Sequence, residues 1–163
     1  MLSWREVENN INQEMSFLED ALLPSPYHQE DPIKCNDCLF RQIAILIVGG
    51  RIKVKKIIYG NNSVWLYRKN PTPIDNDESK KHGAYWHYSM IKMIENYFKD
   101  SNYSVQNEPN LHYGKADLGI EELSLFIEIG TINIFKLYNN LFYMKNSKIV
   151  VIPSDNYFIE FTL

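Results

Sequence analysis

Two acids interrupt segments that otherwise spell apolar β-strands. LFIEIG, residues 125–130, is apolar apart from Glu128, and KADLGI, residues 115–120, carries Asp117 between Ala116 and Leu118. Side chains on a strand alternate faces, so Phe126, Glu128 and Gly130 share one side while Leu125, Ile127 and Ile129 share the other. Lys115 shares the face of Asp117 in the same way. If the two strands pair, the carboxylates meet at one end of a sheet, where a cation or a proton must offset the like charges. Magnesium is the natural candidate, because it binds through a few carboxylates plus waters and phosphate oxygens.

The neighbouring segments supply the rest of such a sheet. Residues 84–99 predict a helix with Trp86, Met90, Ile94, Tyr97 and Phe98 on one face. YSVQNE, KADLGI and SLFIEIG read as three short strands, separated by Pro109-Asn110 and by Glu121-Glu122. Residues 132–145 predict a second helix, and KIVVIP a buried strand, with NYFIEFTL as a further candidate strand. The order from about His82 onward is α, β, β, β, α, β.

Ahead of this unit, residues 4–22 predict a helix capped by Ser3, with Val7, Ile11, Met15, Leu18 and Leu22 at three- and four-residue spacing. SPYHQEDPIK reads as a loop and residues 36–48 as a second helix closed by Gly49-Gly50. RIKVKKIIYG, the turn Asn61-Asn62 and SVWLYRK then predict a β-hairpin. A helix followed by a basic hairpin resembles the end of a winged helix-turn-helix. The polar, proline-bearing stretch from Pro71 to Lys81 has linker composition, which divides the chain into residues 1–70, a linker at 71–82, and a domain at 83–163. An extension packed on the sheet, or a dimer interface, is the other reading of residues 1–70.

The 163 residues, 45% hydrophobic and 23% charged, have the composition of a soluble globular protein, and no run is long enough to span a membrane. MLSWREVENN carries acids and no apolar h-region, so no secretory signal is expected and the cytoplasm is the expected compartment. A net charge of -3 argues against coating nucleic acid by bulk electrostatics and leaves local basic patches. Arg51, Lys53, Lys55, Lys56 and Arg68 form such a patch, weighed evenly between phosphate contact and the guarding of a sheet edge. Trp65 and Tyr67 read as core. Cys35 and Cys38, with His28, fall short of the four ligands a structural zinc site needs and read as reduced thiols. His87 and His112 read as structural or surface residues.

The αβββαβ order with Asp117, an eleven-residue step and Glu128 resembles the restriction-endonuclease-like PD-(D/E)XK superfamily, over roughly half of the chain. The resemblance implies an α/β fold with a restriction-endonuclease-like αβββαβ core, to which the reading of residues 1–70 adds a small N-terminal helical plus β-hairpin, winged-helix-like part. It implies that Asp117 and Glu128 hold a divalent metal, Mg2+ or Mn2+, and that a lysine two residues after the Glu orients or activates an attacking water. Gly130 stands at that position. Lys136 or Lys115 would then supply the lysine, Lys136 being preferred as the catalytic residue. Glu108 or Glu95 would supply a further acid, Glu108 being preferred as a metal ligand.

The activity so implied is metal-dependent hydrolysis of phosphodiester bonds, with DNA as partner. The basic hairpin, linker, helix near His87 and the V..E, ADL and FIE segments also resemble, more loosely, replication-relaxation and plasmid-mobilisation proteins of mobile elements. The alternative is a catalytically inactive protein of the same fold, phage- or mobile-element-encoded, that binds a protein partner or forms a homodimer.

Overall fold

The structure, a computed structural model, describes residues 2–22, 32–58, 84–154 and 157–163. Helix α1 (Trp4–Ala21) begins where Ser3 caps it, in a capping box closed by Glu6, which satisfies N–H groups that the first turn leaves unpaired. Its buried stripe is Ile11, Leu18 and Leu22, with Val7 and Met15 half-buried against the same core, as the spacing predicts. Helix α2 (Pro32–Val48) starts at Pro32 rather than Asn36, since a first-turn position has no ladder hydrogen bond for proline to remove. It closes as expected at Gly49-Gly50, Gly49 donating its N–H to the Ile45 carbonyl.

Strand β1 (Lys53–Ile58) follows. Then come α3 (Ala84–Asp100), β2 (Gln106–Asn107), β3 (Leu118–Ile120), a 3-10 turn at Glu121–Leu123, β4 (Leu125–Ile129), α4 (Ile134–Tyr143), β5 (Lys148–Ser154) and β6 (Tyr157–Thr162). Residues 84–154 thus run in the predicted order of helix, three strands, helix and strand, and β6 extends it. The first of the three strands is shorter than YSVQNE because Glu108 takes a φ of 49°, leaving the extended region just ahead of Pro109.

The fold is mixed α/β. Its six strands form one sheet in the order β1-β6-β5-β4-β3-β2, with β4 and β5 parallel and the remaining neighbours antiparallel. Helices α1, α2 and α4 cover one face over Ile149, Val151, Ile159 and Phe161. Helix α3 covers the other, with Met90 and Ile94 against Leu118, Ile120, Ile127, Ile129, Val150 and Ile152. Each fully buried aliphatic side chain contributes about 1.5–3 kcal/mol. Strands β4 and β5, buried on both faces, account for the nearly continuous apolar runs in LFIEIG and KIVVIP.

The expected division at residue 70 is not a division of the core. β1 pairs with β6, Lys53 opposite Thr162 and Ile57 opposite Phe158, and α1 and α2 pack on the same core as α4. The physical reason is that the α1–α2 pair needs an apolar surface for Ile11, Leu18, Phe40 and Ile43, and the Ile159 and Phe161 face of β6 provides it. The second arm of the predicted hairpin, with Trp65, Tyr67 and Arg68, and the linker at 71–82 lie outside the described residues. No helix among the described residues is long and apolar enough to cross a membrane.

Candidate functional site

Strand register brings the two acids together. Leu118 pairs with Ile127, and the Asp117 N–H also donates to the Ile127 carbonyl, at 3.1 Å, one residue out of step with that register, which sets Asp117 at the end of β3 near Glu128. Glu128 is in register with Val151 of β5, which is buried beneath α4. Glu128 therefore lies on the α4 side of the sheet. Asp117 is held from two directions: Oδ2 accepts from the Ile129 N–H at 2.7 Å, and Oδ1 lies 3.3 Å from His87 Nε2 on the first turn of α3.

Glu128 is buried, 7% exposed. Burial pushes its carboxyl above the ordinary carboxylate range; the Lys136 ammonium pulls the other way and does less, and the nearby Asp117 adds to the rise. Oε1 lies 2.5 Å from Lys136 Nζ, yet among the described residues it has no partner in hydrogen-bond alignment. The contact is an ion pair whose geometry is not that of a good hydrogen bond, and the short distance makes the charge interaction the meaningful part.

Lys136 reaches this position because of how α4 starts. Asn133 caps the helix, its side chain accepting from the Lys136 N–H at 2.8 Å, which places the lysine in the first turn. A cation there faces the positive end of the helix dipole, a cost of about 0.3–1 kcal/mol. Helix preference thus gives no reason for a lysine at this position, whereas the acid beside it does. Lys136 Nζ also donates to the Lys115 carbonyl oxygen, so the ammonium bridges the loop before β3 and the end of β4.

That loop is fixed by Asn140, one turn further along α4 and fully buried. Its Oδ1 accepts from the Tyr113 N–H at 2.8 Å, and its Nδ2 donates to the carbonyls of Tyr113 and Lys136, both at 2.9 Å. Gly114 takes a φ of 78°, a conformation that favours glycine, and the lysine stem packs beside it. At Gly130 φ is 92°, a conformation in which an L-residue is strained, so the backbone itself disfavours a lysine two residues after Glu128.

The other predicted site residues are placed differently. Glu108 is strongly exposed and lies 3.5 Å from Lys115 Nζ; it is adjacent to Asp117 through the backbone, its N–H donating to the Asp117 carbonyl at 3.0 Å, but its side chain is engaged with Lys115 and the expected third ligand is not brought to the pair. Glu95 is buried on α3 between Lys99 at 2.6 Å and Lys92 at 2.9 Å, with Asn107 Nδ2 at 3.5 Å. Hydrogen bonds from Lys99 and then Lys92 hold its carboxyl down at about 2. Its partners are those of a structural acid.

Arg51, Lys53, Lys55 and Lys56 are all exposed along β1 and the turn before it, Lys56 lying over the Tyr157 ring at 4.3 Å. His112 stacks on Tyr143 with ring centroids 4.0 Å apart. His28 lies outside the described residues, and for Cys35 and Cys38 only their place in α2 is described.

Sequence reasoning missed His87 and Asn140. Asn140 carried a signal, since it falls on the apolar stripe of Ile134, Leu137 and Leu141, where a polar residue must be satisfied internally. His87 carried none, because thirty residues of chain separate it from Asp117.

Among the described residues no group of three or more His, Cys, Asp and Glu side chains is arranged to hold a metal ion. Two neighbouring carboxylates, one with a buried oxygen lacking an aligned hydrogen bond, nonetheless fit magnesium or manganese, which need only one or two protein carboxylates when water and phosphate complete the shell. They do not fit a structural zinc site. No family model, curated protein or solved structure matches this chain.

Proposed function

We propose that the chain is a metal-dependent nuclease of restriction-endonuclease-like PD-(D/E)XK type that hydrolyses phosphodiester bonds in DNA. The single observation carrying this reading is the Lys136 ammonium 2.5 Å from Glu128, with Asp117 close enough to act on the same carboxyl. An acid pair with a lysine is the functional set of that superfamily, and here the lysine comes from α4 while Gly130 occupies its usual place. The order of elements from α3 to β5 supports the same reading.

In this reading Asp117 and Glu128 hold Mg2+ or Mn2+. A bound ion would supply charge neutralisation at the scissile phosphate and a lowered pKa for an attacking water. His87 and the Ile129 N–H orient Asp117. Lys136 contributes positive charge where negative charge develops in the transition state, and Asn140 fixes the loop whose carbonyl helps aim it. The exposed lysines of β1 provide sequence-independent contacts to phosphates.

The test is cleavage of single- and double-stranded DNA and RNA with Mg2+ or Mn2+, comparing wild type with Asp117→Ala and Glu128→Ala. Wild-type cleavage reduced at least about a hundredfold in both variants is expected. Equal activity in all three proteins, or none in any, refutes the enzyme reading. It would leave a catalytically inactive interaction protein, which one observation favours: both Asp117 oxygens already have partners.

A further inference from the structure

We infer that Lys136 is a tethered counter-ion of the metal-free site, paired with Glu128 until a divalent cation displaces it. The inference rests on the proposed metal site and adds to it a competition between two cations of this one carboxylate. The ammonium sits 2.5 Å from Glu128 Oε1, so a divalent ion that took this oxygen would meet strong repulsion from it and would have to displace it. The pairing lacks hydrogen-bond alignment, which makes it an occupant held by charge and not by directional bonding.

Two features equip Lys136 to leave. Its stem is flexible, with four rotatable carbons, and is not sealed in, being 18% exposed at the side chain. Its other acceptor, the Lys115 carbonyl, lies on the loop that Asn140 anchors, so the ammonium keeps a fixed partner at the site when it leaves Glu128. Released from the carboxylate, it remains next to the site with its charge free for a phosphate oxygen.

Occupancy by lysine and affinity for the ion are then reciprocally linked. Removing the ammonium while keeping the stem, in Lys136→Met, should tighten binding of Mn2+ by about tenfold or more, as isothermal titration calorimetry on the full chain without nucleic acid would read. In the wild-type protein, acetylation of Lys136 by an amine-reactive reagent, followed by mass spectrometry, should rise severalfold when Mn2+ is added. That second measurement needs no variant to fold.

Unchanged or weaker Mn2+ affinity in Lys136→Met, or acetylation of Lys136 indifferent to Mn2+ that binds, overturns the counter-ion role and leaves the metal site standing. Failure of Mn2+ to bind either protein overturns both this inference and the metal-dependent reading on which it rests.

Discussion

Glu128→Gln should make the metal-free protein more stable at neutral pH, against the usual result of removing one partner of a buried ion pair. Glu128 is 7% exposed, and withdrawing a carboxylate from water costs several kcal/mol. Against this stands one contact, to Lys136 at 2.5 Å. A hydrogen bond to a charged group returns about 1.5–3 kcal/mol, and the poor alignment puts this one at the low end. Asp117, close by, adds repulsion. Burial therefore wins, which is why the carboxyl holds its proton more tightly than it does in the unfolded chain.

Gln keeps the shape and removes the charge, while Lys136 retains the Lys115 carbonyl and a path to solvent. The balance is a gain of about 1 kcal/mol at pH 7, or about 2–4 °C in Tm for a chain of this size. The folded state binds the Glu128 proton more tightly than the unfolded state, where the group titrates near 4.5. Wild-type stability is therefore penalised as pH rises through and beyond that value, and the penalty is absent below it. Urea unfolding in EDTA at a series of pH values reads this directly: the difference between variant and wild type should open toward neutral pH and close on acidification. A variant about 1 kcal/mol or more less stable than wild type at pH 7 would refute the reasoning and make the Lys136 pair the dominant contribution.

Glu95→Gln should act with the opposite sign. Lys99 and Lys92 hold its carboxyl at about 2, so its contribution is present above the ordinary carboxylate range and lost as pH falls toward that value; both ammonium groups are about half exposed, which screens the pairs to about 1 kcal/mol in total at pH 7, measurable by the same unfolding series. Asn140→Ala should cost about 2–3 kcal/mol by chemical denaturation, because it removes a fully buried side chain and its hydrogen bonds to the Tyr113 N–H and carbonyl; a loss below about 0.5 kcal/mol would mean those bonds contribute little.

Local periodicity carried much of the fold. The stripe of α1, the helix–strand order from residue 84 and the alternation around Glu128 are all consequences of side-chain spacing within one element. Two things escaped because they depend on pairs far apart in sequence. The period-2 pattern of RIKVKK identifies a strand, but nothing in it names β6 as the neighbour, so the boundary at residue 70 followed the linker composition and not the pairing. The acidic pair itself was legible, since a charge in an apolar strand is anomalous on its own. Its surroundings were not: the reach of Lys136 depends on the helix phase set by Asn133, the link to His87 depends on how α3 lies over the sheet, and the withdrawal of Glu108 follows from a single left-handed residue.

The pairing of β1 with β6 also orders events during synthesis. The partner of Lys53 is Thr162, about a hundred residues downstream, so α3 and β2 to β5 emerge from the ribosome before β1 has its neighbour. Until then α1 and α2 have no Ile159 and Phe161 to cover, and the nascent N-terminal segment waits with its apolar stripe exposed. Contacts between such distant residues are slow to form.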